Sequence, residues 1–215
     1  TILTRCNTLL NDKIWARWQK QELLDYYNDA VRAIVLRRPD ANAQDIVFTC
    51  VAGTKQTLPS DALRLIDVVR NDAGKVIRLV NRSALDDNYP DWHTTATATA
   101  ADAFTYDDRD PKVFYLYPGV VVGTKIDIVY SLAPVAKTLD QVRSNAVADL
   151  DDIYINPIID FILYRAYSKD AEYVANSNRS QGHYQAFLQQ IGDKTSVDNS
   201  MAQLQASQSP TTSQR

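Results

Sequence analysis

The chain has 215 residues, of which 45% are hydrophobic and 23% charged, and its formal net charge is −3. That length holds one domain or two small ones with a real core, and the balance is ordinary for a soluble globular protein. Without a basic excess, a surface built to grip nucleic-acid phosphates is not expected, and no apolar run reaches the roughly 18 residues of a membrane span. The two cysteines, Cys6 and Cys50, form neither a disulfide framework nor a metal knuckle and read as free thiols in a reducing compartment. The opening TILTRCNTLL lacks the apolar core and cleavage site of a secretory signal. The expectation is a cytosolic product that has lost its initiator methionine.

Residues 2–10 read as a short helix, with Ile2, Leu3, Leu9 and Leu10 apolar. A stronger helix is predicted from Gln19 to Arg38, where Leu24, Tyr27, Val31 and Ile34 recur on one helical face. Arg37 and Arg38 suit the negative end of that helix and Pro39 stops it. The middle of the chain changes period. Residues 46–51 form a strand run, 52–54 a turn, and 55–58 an antiparallel return. Further strands are predicted at 65–69, 76–80, 113–117 and 125–130, the last with Ile126, Ile128 and Tyr130 on one face. Turns fall at 71–74 and at Pro118-Gly119. Residues 81–103 read as a long loop rich in Thr and Ala, with a helical turn at 83–87; a loop of that length is usually functional or mobile.

Toward the C-terminus, Asn156 is placed as a cap and Pro157 at the first position of a helix that runs to about Lys169. From Ile158 to Tyr167 only Asp160 and Arg165 are charged, so this helix is apolar nearly all round. A helix on the surface of a lone globule shows one apolar stripe instead. A last helix carries Tyr184, Phe187, Leu188 and Ile191 on one face, and Gly192 is expected to end it. Residues 193–215, rich in Ser, Thr, Gln and Asn, have little to bury and are expected to need a partner for order. The fold class is α+β: N-terminal helices over 1–44, an antiparallel β domain over 45–135, C-terminal helices over 136–192, and a flexible tail over 193–215.

Residues that would carry chemistry are few. His93 and His183 stand apart, with no second histidine at ligand spacing and no His-Glu motif beside either. The segment GVVVGTK at 119–125 lacks the length and residue order of a phosphate loop and is read as a hairpin turn. The acidic runs at 107–110 and 149–152 lack the Gly and terminal Glu of a calcium loop and are read as solvated turns. No catalytic, cofactor-binding or metal residue is assigned, and no enzyme activity is expected. Aromatics carry more information, because tyrosine suits sites that are half apolar and half wet. Phe161, Tyr164, Tyr167 and Tyr184, in or beside the apolar C-terminal helices, and Trp92, in the loop, are the candidate interface side chains.

Several blocks of the chain resemble the head-to-tail adaptor, or connector, proteins of tailed bacteriophages. They are WARWQKQELLDYYNDAVRAIVLRRPDA at 15–41, VAGTKQTLPSDALRLIDVVRN at 51–71, IRLVNRSALDDNYPDWH at 77–93, DPKVFYLYPGV at 110–120 and DDIYINPIIDFILYRAYSKDAEYVANSNRSQGHYQAFLQQIG at 151–192. Together they cover most of residues 2–192. The resemblance implies a helical bundle made from both chain ends with an inserted β domain. It implies a homo-oligomeric, dodecameric ring that binds below the portal protein, continues the DNA channel and docks a downstream tail or nozzle protein. Double-stranded DNA then passes through the lumen without sequence-specific binding, and no membrane is involved. The location implied is the virion neck, after synthesis in the host cytoplasm. The C-terminal extension, with Gln205 and Gln208, would reach the portal, and the Thr/Ala loop at 94–103 would meet a neighbouring subunit or a tail protein. Another ring-forming tail or neck protein, a terminator or tail-closure protein, is the alternative. An enzyme is the reading from another class, and a stand-alone nucleic-acid-binding regulator the last.

Overall fold

The computed structural model describes the backbone of residues 1–143, 150–170 and 172–207, and the side chains of these except 143 and 193–207. The chain divides into two units: Thr1–Arg37 with Val135–Arg215, and Arg38–Pro134. The first is helical and the second is β, so the α+β class is observed.

The helical unit begins with α1 (Ile2–Leu9), capped by the Thr1 side chain, which accepts the Thr4 amide. Leu3, Cys6 and Leu10 are buried, whereas Leu9 is exposed. Asn11 ends the helix with φ of 55°, a left-handed residue of the kind that closes helices. Its amide donates to the Thr8 carbonyl and that of Asp12 to the Asn7 carbonyl, two of the acceptors left open in the last turn. The Asp12 carboxylate then accepts the amides of Ala16, Arg17 and Trp18 at 2.9, 2.8 and 2.9 Å. These bonds, that from Trp18 foremost, hold its pKa below the usual carboxylate range. A depressed carboxylate stabilises the fold above its unfolded pKa, near 4, and that contribution is lost as the pH falls through the folded value. We expect the gap in urea midpoint between the wild type and Asp12→Asn to be widest at neutral pH and to narrow as the pH falls below the ordinary carboxylate range. A gap that persists unchanged in acid would contradict this role.

Helix α2 (Lys20–Arg37) buries Leu24, Tyr27, Val31 and Ile34, the face read from its period, together with Leu23, Ala30 and Val35. Arg37 donates back to the Ala33 carbonyl, and the helix stops before Arg38 and Pro39. The short α4 (Leu139–Arg143) follows Lys137, whose peptide groups exchange two hydrogen bonds with the Asn28 side chain of α2. Helix α5 (Ile155–Lys169) packs on α1, α2 and α6 (Val174–Ser207). Two expectations are corrected here. The cap of α5 is Tyr154, without a side-chain bond, so Asn156 lies inside the helix and Pro157 is a buried first-turn residue. Gly192 does not end α6, which continues to Ser207. With no side chain, Gly192 weakens a helix but does not oblige it to stop.

The β unit contains β1 (Ala43–Thr49), β2 (Gly53–Thr57), β3 (Ala62–Asn71), β4 (Arg78–Leu79), β5 (Ala103–Tyr106), β6 (Val113–Val120) and β7 (Lys125–Leu132). A three-stranded sheet has the order β1-β7-β3 and a four-stranded one β2-β6-β5-β4. Leu65, Val68, Phe104, Phe114, Leu116, Ile126, Ile128 and Tyr130 belong to one buried cluster. The expected return of 55–58 onto 46–51 is not made: β1 pairs with β7 and β2 with β6, in different sheets. The same division means that the turn at 121–124, with Gly123 at φ of 85°, joins two sheets rather than a hairpin. Pro118-Gly119 is no turn either, because β6 runs through it. A side chain at Gly119 would stand 3.2 Å from Gly53 and Thr54, so the close approach of β2 leaves little room for one. All strand pairs are antiparallel except β4 with β5.

Strand β3 has a period of three instead of two. Its register against β7 slips between Ala62 and Arg64, Leu65 and Asp67, and Val68 and Arg70. Each slip is a bulge that sets two residues against one. Ala62, Leu65, Val68 and Asn71 therefore face the interior, while Leu63, Ile66 and Val69 are exposed. The long loop at 81–103 is also more organised than its composition suggests. It contains α3 (Arg82–Asn88), Ala98 exchanges backbone bonds with Gly119 and Val121, and Ala101 is bonded to the Asn71 side chain in both directions.

Candidate functional site

The candidate interface aromatics are positioned by the C-terminal helices and by the loop of the β unit. Four of them lie together. Helices α5 and α6 run antiparallel, because Ser168 meets Ser180 at 2.7 Å while Phe161 meets Phe187 with centroids 5.1 Å apart. Ile158, Ile159, Ile162, Leu163 and Ala166 form the buried face of α5. Phe161 and Tyr164 lie in the seam with α6, with centroids 5.6 Å apart, and Tyr164 lies 4.8 Å from Tyr184. Tyr167 stacks on His183 at 5.8 Å, and the Arg179 guanidinium stands over the Tyr167 ring at 5.7 Å. The helix that reads as apolar all round is thus covered by three helices of its own unit. Its aromatic side chains remain half-buried, and Arg165 is exposed between them.

Polar groups fix how α5 and α6 meet. His183 Nδ1–H donates to Asp160 Oδ1 at 2.8 Å and Gln190 Nε2 to Asp160 Oδ2 at 2.6 Å. The Ser180 hydroxyl lies 3.2 Å from the Tyr164 carbonyl. Sequence spacing points to the aromatic cluster, but the partners of Asp160 are 23 and 30 residues away and carry no local signal. The remaining candidates lie elsewhere. Trp92 is only 1% exposed, inside the β unit, where its Nε1–H donates to Asp86 and its ring stacks on His93 at 3.7 Å. It supports the loop from within. Gln205 falls on the helix α6, and Gln208 lies outside the described residues.

The two thiols and two imidazoles of the described residues are held in packing and hydrogen bonds. Burial pushes the Cys6 thiol up to about 12 and the Cys50 thiol up to about 11, so neither is a thiolate at neutral pH. His93 Nδ1 is 2.8 Å from the Thr54 hydroxyl, and His183 is held by Asp160. Among the described residues, no group of three or more His, Cys, Asp or Glu side chains is placed to hold a metal ion. The run at 107–110 is the turn between β5 and β6, closed by Asp107, and Asp151 and Asp152 are exposed before α5; Asp149 lies outside the described residues. No described helix is long and apolar enough to cross a membrane.

Some exposed apolar side chains, which the periodicity did not mark, lie in the segments that follow α1 and α5. Ile14 is 83% exposed in the loop after α1, and Tyr173 and Val174 are exposed where α5 turns into α6. The Arg17–Asp170 ion pair, at 2.6 Å, ties these two segments together. Trp15, with φ of 60°, holds the first of them in a conformation unusual for a bulky residue.

No curated protein matches the chain. A family model described as SU10 adaptor protein matches residues 1–212, across the helical ends and the β insertion alike. On a match of that extent the chain belongs to the SU10 adaptor protein family, a phage head-to-tail adaptor family.

Proposed function

We propose that this adaptor assembles as a dodecameric ring on the portal protein in the neck of the virion, lengthens the DNA channel and docks the next tail or nozzle component. The family match over residues 1–212 carries the reading. Two features support it. Half-buried aromatics on α5 and α6 suit a seam in which a neighbouring subunit covers what the chain's own bundle leaves open. A net charge of −3 suits a channel that lets DNA pass without holding it. In this reading the C-terminal segment, with Gln205 and Gln208, meets the portal, and the role is structural rather than enzymatic. The Thr/Ala stretch at 94–103 is a second contact, toward a neighbouring subunit or a tail protein.

Light scattering on the chain alone and after mixing with purified portal rings tests this. The expected outcome is one adaptor bound per portal subunit, whatever the state of the free chain. A monodisperse chain that leaves the portal rings unchanged in mass would overturn it and point to a more distal tail component.

A further inference from the structure

The three-stranded sheet has two edges of opposite character. At β3 three bulges break the ladder, the usual protection of an edge against further pairing. At the other edge β1 is unbroken: seven consecutive residues, Ala43 to Thr49, oppose Ser131 to Lys125 without a shift. The Cys50 amide donates to Thr124 at 2.8 Å, which marks the next pair along as a bonded one. By the alternation of an antiparallel ladder, Gln44, Ile46 and Phe48 then bond to β7, and Asp45, Val47 and Thr49 turn their N–H and C=O groups outward. All three of those residues are exposed, Val47 by 55%.

Nothing in the strand guards this edge. AQDIVFT has no proline, lysine or bulge, and Asp45 is its only charge. On the inner face, Ile46 and Phe48 are partly buried at the margin of the core cluster, Phe48 edge-on to Phe114 at 5.9 Å. One more strand beside β1 would cover the apolar flanks they still expose.

A second copy has no matching edge among the described residues. Strand β4 is two residues long, β3 is bulged, and β2 has five residues with a break between Gly53 and Lys55. Pairing of β1 with β1 joins two copies and stops, which cannot build a larger ring. We infer that β1 receives an extended segment of a virion protein other than the portal, added to the sheet as a strand. Main-chain hydrogen bonds to Asp45, Val47 and Thr49 hold the segment. It carries apolar residues at alternate positions beside Ile46 and Phe48 and a Lys or Arg opposite Asp45. The inference rests on the adaptor role proposed above.

Hydrogen exchange of the full chain tests it in three states: free, bound to purified portal rings, and in intact virions. The amides of Asp45, Val47 and Thr49 are expected to exchange fast in the first two and at least about a hundredfold more slowly in virions. Equal rates in all three states overturn the inference. Slowing already complete on portal rings assigns the edge to a second copy or the portal and overturns it as well. A chain that does not bind portal rings at all defeats the adaptor role instead. A variant adds an independent readout. Val47→Pro deletes an outward N–H and blocks the edge while leaving the β1–β7 bonds in place. Phage carrying it is expected to lose at least about tenfold in titre while the purified variant keeps its thermal midpoint and portal binding. Wild-type titre with Val47→Pro overturns the inference.

Discussion

Replacing Phe187 with alanine is expected to lower the unfolding free energy by about 3–5 kcal/mol, the usual cost of emptying a fully buried phenylalanine site. Phe187 has no exposed surface. Its ring stands 5.1 Å from Phe161 and 6.3 Å from Tyr184, and the Arg37 guanidinium lies 5.6 Å over it. Those neighbours come from α2, α5 and α6, so no single helix can relax to fill the space. Tyr184→Ala, at a half-buried ring in the same seam, should cost clearly less, about 1–2 kcal/mol. Urea unfolding at constant slope measures both. If the two losses prove equal, the seam is not organised around Phe187. The contrast matters for function, since a side chain that costs little in the lone chain and much in assembly is the one facing a neighbour.

Gln56→Ala should cost about 2–4 kcal/mol through lost backbone bonding in the β unit. The Gln56 side chain is fully buried. Its Oε1 accepts the Val51 amide at 2.9 Å, and its Nε2 donates to the carbonyls of Val51 and Gly53 at 2.9 and 3.2 Å. It thereby does for the link between β1 and β2 what a hairpin partner would do. Gln56→Leu keeps most of the volume and leaves the same peptide groups unpaired, so it should not restore stability. Thermal unfolding of the two variants decides this: recovery in Gln56→Leu would mean that packing, not bonding, holds the link. Asn71 plays the same part farther along, bonding to both peptide groups of Ala101 and to the Lys75 carbonyl.

Where period and burial coincide, the sequence is readable. Leu24, Tyr27, Val31 and Ile34 form the buried face of α2, and Ile126, Ile128 and Tyr130 that of β7. Phe161 with Tyr164, and Tyr184 with Phe187, stand at helical spacing, so the aromatic seam is foreshadowed by position alone. Partner choice is a different matter. Ala43 pairs with Ser131, 88 residues on, while the local pattern favours a return of 55–58 onto 46–51. The short strand Ala103–Tyr106 is four residues long and lies at the end of a Thr/Ala run, too brief to show a period. Strand β3 hides its pattern because each bulge adds a residue, turning alternation into a repeat of three. Trp92 reads as a candidate interface aromatic in the loop, and only the bond to Asp86 and the stack on His93 reveal it as the residue that the loop wraps.

The pairing of β1 with β7 also bears on the order in which the chain folds. Residues 38–134 separate α2 from the helices that complete its bundle. Yet the insertion enters and leaves side by side: Ala43 is opposite Ser131, and the Asn42 side chain donates to the Leu132 carbonyl at 3.0 Å. Once those strands have met, the insertion acts as a short tether, and the entropy of closing the bundle is that of a few residues instead of nearly a hundred. An emerging chain can therefore complete its sheets while α5 and α6 are still being made, and the two helices at its start need wait only for their partners to be synthesised.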